Sequence, residues 1–134
     1  MGSNWIKIAV IYLIFGISVG LFMSSTLQLN WASAHAHVNL AGFATTAIFG
    51  VIYSVYPGAA KSILGKTHFW LHNIGMPFFL LSTFLVQVSG MLSFAHTFTF
   101  LGGGAFGLGV LVFIVNAFKN INESTVISSN KKAS

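Results

Sequence analysis

Charge is nearly absent from this 134-residue chain: six Lys, no Arg, no Asp and one Glu, Glu123. Charged residues make up 5% of the sequence and hydrophobic ones 55%. A water-facing surface needs about a quarter of its residues charged, so these proportions cannot clothe a soluble globular domain. The formal net charge of +5 comes from scattered Lys rather than from a basic cluster, which excludes a nucleic-acid surface. There is no Cys, so disulfides, thiolate zinc sites and iron–sulfur clusters are excluded as well. Five His are then the strong metal ligands that the chain has to offer.

What the composition allows is a bilayer. An apolar run of about 20 residues crosses the hydrocarbon core as a helix, and four such runs occur, at roughly 5–27, 33–56, 67–90 and 93–118. The apolar residues are continuous and do not alternate, which favours helices over barrel strands. The expected fold is an all-α integral membrane protein, a four-transmembrane-helix bundle. The first run is expected to stay on the protein, being longer than a signal h-region and followed by no Ala-x-Ala type site. Residues 120–134 are polar and aperiodic, and a disordered tail is expected there.

The Lys set the orientation. Lys7 lies at the start of the first run, Lys61 and Lys66 lie between the second and third, and Lys119, Lys131 and Lys132 follow the fourth. All six fall on one side of a four-pass topology, so the positive-inside rule places both termini in the cytoplasm of a bacterial inner membrane. Pairs of Gly four residues apart, Gly16/Gly20 and Gly103/Gly107, are expected to let helices approach closely, within or between chains. A flat notch for a planar ligand is the sharper reading of the same pairs.

Topology then sorts the His by depth. His35, His37 and His96 fall near the outer surface, His68 and His72 near the inner one. At 1.5 Å per residue, His37 and His72 differ in depth by roughly 15–20 Å, too much for the two axial ligands of one iron within one chain. His37 or His35 with His96 is the better intrachain pair. His35 and His37 are two apart on a helix, so their rings point about 160° apart and cannot chelate one ion. His68 and His72, four apart, share a face, the spacing of a helical two-His metal site. On the bland reading His68 is an interfacial residue and His72 makes an interhelical hydrogen bond. Three His at one level of an almost uncharged bundle are costly without a partner, and this cost is what points to a cofactor.

The second and third runs carry a motif pair that resembles a known family. His35-Ala36-His37, with the ending Val51-Ile52-Tyr53-Ser54-Val55-Tyr56-Pro57, resembles the tenth transmembrane helix of subunit I in the heme-copper oxidase superfamily. Gly65-Lys66-Thr67-His68-Phe69-Trp70-Leu71, with Ile74-Gly75, resembles the start of the eleventh. The likeness covers residues 34–76, about a third of the chain, in the family's order and spacing. It implies that His35 and His37 are iron ligands, the first for a high-spin and the second for a low-spin heme. It implies no role for His68. The helices that hold the family's copper ligands and cross-linked Tyr have no counterpart in four spans. The Arg pair for the heme propionates is missing, and no acid lies in a span to carry protons. A complete oxygen reductase is therefore not expected from this chain alone.

The resulting expectation is a small membrane protein binding heme b, since covalent c-type attachment needs Cys and imidazole suits heme iron. His37 is the first ligand, with His96 or a His of a neighbouring chain as the second. His35 is an open heme position, a copper ligand or a hydrogen-bond partner, and His72 is a further cofactor-binding candidate. Copper is expected only in an oligomer, where two chains complete a three-His shell. Trp31 and Asn39 would solvate the propionates. Electron transfer to a periplasmic or membrane partner is the first functional reading. Heme-based binding or sensing of O2 or NO is the second, and a non-redox accessory or assembly subunit the third. A homo-oligomer is expected, because a four-helix bundle burying a heme has little wall left.

Overall fold

The computed structural model describes residues 1–122, and every regular element in them is helical. Helix α1 is Gly2–Thr26. Helix α2 is Leu29–Val55, a continuous rod whose winding changes along its length. It opens as a 3-10 turn at Leu29–Trp31, runs as α-helix over Ala32–His37, widens to a π-helix over Val38–Thr45 and tightens again over Thr46–Val55. A short α3, Pro57–Lys61, leads to α4, Ile63–Leu85. Helix α5 is Leu92–Asn120, again with a π segment, Thr99–Gly103.

Of these, α1, α2 and α5 are long and apolar enough to cross a membrane. Helix α4 has the length, 23 residues, but carries Lys66, His68, His72 and Asn73 in its first half. It begins four residues before the expected start because the Ser62 hydroxyl accepts the Gly65 N–H at 2.9 Å and caps the helix. It ends earlier than expected because the chain turns after Leu85, through Gly90 at φ 79°. The expectation of a disordered tail lies outside the described residues from Glu123 onward.

Two hairpins make the bundle: α1 packs along α2, and α4 along α5. The second pair is the tighter. A Cβ on Gly75 would lie 2.8 Å from the Gly102 carbonyl oxygen, and one on Gly102 would lie 2.8 Å from the Gly75 oxygen. Within the chain the seam therefore runs through Gly102 and Gly109, whereas a Cβ on Gly103 would meet only the Phe79 ring, at 3.3 Å, and Gly107 faces open space. In the first hairpin the expected Gly16/Gly20 pair does make room, for side chains: a Cβ on Gly16 would meet the Asn39 amide and one on Gly20 the His35 ring. The notch is filled from within the chain.

The hairpins join through an aromatic core, in which Trp5 of α1 packs on Phe49 and Tyr53 of α2 and on Phe69 of α4. A second cluster, Val38, Met76 and Leu80 with Tyr12 and Phe106 against it, lies nearer the α1 C-terminus. Outward-facing apolar residues cover the rest: only 11% of the most apolar stretch of α1, and of α5, is buried, against 33% of α2.

Leu27 ends α1 in the left-handed region at φ 57° while its side chain is 80% exposed. A residue with a Cβ is strained there by about 1–2 kcal/mol and Gly is not. Leu27→Gly is expected to raise stability by about 1 kcal/mol in a detergent-unfolding titration, offset little by lost contacts.

Candidate functional site

The polar side chains gather at two levels. At the level of the α1 N-terminus, beside Trp5, His68 and His72 project from one face of α4 and both are fully buried. His72 Nε2 lies 2.8 Å from the Thr46 hydroxyl of α2, and His68 Nδ1 lies 2.8 Å from the Tyr53 hydroxyl. Asn116 of α5 ties the group together. Its amide donates to the Tyr53 oxygen at 3.2 Å and to the Ala59 carbonyl at 3.1 Å. Its carbonyl oxygen accepts from the Ser62 hydroxyl at 2.9 Å and from the Asn120 amide at 2.8 Å. Asn116 leaves the Tyr53 hydroxyl proton free to serve His68 Nδ1, and the other ring nitrogen of His68, Nε2, is buried with no hydrogen-bond partner among the described residues.

Aromatic rings enclose the pair. Trp5 stands 4.9 Å from His68 and 4.8 Å from His72, centroid to centroid, and Phe49 meets His68 edge-on at 4.5 Å. Phe113 packs on His68 at 5.2 Å and Phe106 on His72 at 5.3 Å. The two His rings are 5.8 Å apart and nearly perpendicular. His68 is thus a core residue rather than the interfacial one expected beside Lys66 and Thr67, because Tyr53 and Asn116 give its imidazole a partner inside the bundle. His72 makes the interhelical hydrogen bond expected on the bland reading.

This network ties three elements to α4, so its removal should be felt in stability. Tyr53→Phe keeps the ring packing but strips Asn116 of one acceptor and His68 Nδ1 of its donor, leaving buried groups unpaired. A loss of about 1–3 kcal/mol is expected in a thermal or denaturant melt. Asn116→Leu should cost a similar amount, and the double variant less than the sum, because both belong to one network.

At the second level, beside Gly16 and Gly20 of α1, His35 and His37 leave α2 in opposite directions, as their spacing requires. His35 turns to α1, where Nδ1 lies 3.0 Å from the Gly16 carbonyl oxygen. His37 turns towards α4, with its ring edge-on to Phe79 at 5.7 Å and its Nδ1 2.7 Å from the Ser33 carbonyl oxygen. A carbonyl only accepts, so in both rings Nδ1 carries the proton and Nε2 keeps a lone pair. His96 is exposed on α5. Among the described residues no three His, Cys, Asp or Glu come together to hold a metal ion. Trp31 donates to Gln28 at 3.1 Å and the Asn39 amide donates to the His35 carbonyl at 2.9 Å. The π segments begin directly after His37 and three residues after His96.

Following the His alone passes over Tyr53, Thr46 and Asn116. Asn116 carried a signal: it is a lone amide inside the apolar run from Gly104 to Phe118, and a polar side chain in such a run usually bonds across helices. The described residues form an all-helical fold, apolar on its outside, with one buried imidazole network and a second pair of half-buried imidazoles that point from α2 towards α1 and α4. No family model, curated protein or solved structure matches this chain.

Proposed function

We propose that the protein spans the bacterial inner membrane four times with both termini inside, and binds heme b near the outer face for electron transfer. The observation that carries the heme reading is the 2.7 Å contact of His37 Nδ1 with the Ser33 carbonyl. Iron-ligating His generally donates its other ring N–H to a carbonyl or carboxylate, which fixes the ring and raises the basicity of the ligating nitrogen. His37 is thus prepared on α2 with Nε2 available. The donor set agrees, since imidazole is a good ligand for iron and no thiolate competes. When bound, heme iron supplies one-electron redox chemistry.

His96 is the second ligand, from the same chain or from a neighbouring copy. An exposed imidazole on an apolar helix face is costly in a bilayer unless something engages it, which favours association of copies around His96. His35 holds α1 against α2 through the Gly16 carbonyl, which favours the hydrogen-bond role among its three readings. Copper would have to draw His from two chains. The orientation is supported by Lys7, Lys61, Lys66 and Lys119, each near a helix end that an antiparallel bundle places on one side.

The test is an absorption spectrum of the detergent-purified, heme-supplemented protein, reduced, before and after CO. A bis-His heme resists CO, whereas a shifted spectrum would mean an open sixth position and move the function to gas binding or sensing. Absence of any Soret band would leave the accessory-subunit reading.

A further inference from the structure

On the outside of α4, two ridges run side by side: Ile63, Thr67 and Leu71 on one, Lys66, Trp70 and Ile74 on the other, each stepping by four residues. With Ala105 of α5 they line a groove of about 410 Å³. Polarity along it is graded. Lys66 and Thr67 stand side by side near the α4 N-terminus, and Trp70, Leu71 and Ile74 continue as a purely apolar strip with Trp70 63% and Ile74 54% exposed. From Lys66 to Ile74 the helix rises about 12 Å, the depth of much of one leaflet's hydrocarbon. Lys66 has no acidic side chain to pair with among the described residues, since the chain's single acid is Glu123. The groove thus has a cation at its mouth, an amphipathic Trp one turn deeper, and a hydrocarbon slot beyond.

We infer that this groove holds an anionic glycerophospholipid, its phosphate at Lys66 and Thr67 and one acyl chain along Trp70, Leu71 and Ile74. Charge complementarity selects the headgroup: an unpaired Lys at the bilayer surface attracts anionic lipid, and a zwitterionic headgroup offers no net charge to it. Shape selects the tail, because the apolar part of the groove follows the helix inward rather than across the surface. The inference rests on the membrane reading of the chain and is independent of heme.

The protein is placed in phosphatidylcholine nanodiscs containing a small fraction of brominated lipid, and quenching of Trp fluorescence is read. Brominated phosphatidylglycerol is expected to quench about fivefold more effectively than brominated phosphatidylcholine at the same fraction. The excess should vanish in Trp70→Phe and in Lys66→Gln, and persist in Lys119→Gln, whose charge lies outside the groove. Equal quenching by the two lipids, or an excess untouched by Lys66→Gln, would overturn the inference. Failure of the protein to remain with the nanodiscs would instead overturn the membrane reading, and the two failures are read separately.

Discussion

Gly102→Val is expected to break the α4–α5 hairpin. A Cβ at this position would fall 2.8 Å from the Gly75 carbonyl oxygen and 2.8 Å from the Phe78 carbonyl carbon, and closer still to the Phe79 nitrogen. These are backbone atoms of a helix, so no rotamer change relieves them, and α4 and α5 must move apart as bodies. Separation would also pull Asn116 from Tyr53 and His68 from Phe113, so the cost spreads to the His68 network. Overpacking of a fitted interior typically costs about 1–3 kcal/mol, and this substitution should reach the upper end or beyond. Thermal unfolding in detergent is the readout. Gly104→Ala and Gly107→Ala, where a Cβ meets open space, serve as controls and should be neutral or slightly stabilising, since Ala is the better helix former. Equal destabilisation at Gly107 would contradict the seam.

On the proposed ligation, His37→Ala is expected to weaken heme binding by roughly 100-fold or more, because loss of a hydrogen-bonding group behind a metal ligand already costs about 10–100-fold and this substitution would remove the proposed ligand itself. The other His separate by position. His35→Ala should loosen α1 from α2, where its ring fills the notch at Gly20 and its Nδ1 meets Gly16, and leave heme affinity nearly unchanged. His72→Leu should lower stability through the orphaned Thr46 hydroxyl without altering the heme spectrum. Heme titration followed at the Soret band, with circular dichroism to verify helicity, distinguishes these outcomes. Loss of heme in His72→Leu with His37→Ala unaffected would reverse the assignment.

The residues differ in how openly they announce their place. The helical class and the segment limits near Leu27 and Pro57 follow from run length and from Pro, because both act locally. The start of α4 does not, since it depends on a hydroxyl cap at Ser62 that outweighs the polar residues around it. The opposite directions of His35 and His37 are fixed by helical pitch and hold even though the π segment begins at Val38. The burial of His68 is a tertiary fact. It needs Tyr53, fifteen residues away, and Asn116, forty-eight away, to converge on it, and no spacing within α4 encodes either. The Gly seam shows the same limit: four-residue spacing marks Gly103/Gly107, while the helices meet through Gly102 and Gly109 because α4 presents Gly75 and the backbone around His72 to that line.

The proposed binding of heme through His37 is tested most directly by a pyridine-hemochrome and metal analysis of the purified, heme-supplemented protein. Heme b is expected in a fixed ratio to chain, one per chain or one per pair of chains, and is expected to disappear in His37→Ala. A protein that stays folded and helical but retains no heme, or retains it equally well without His37, would contradict ligation by His37.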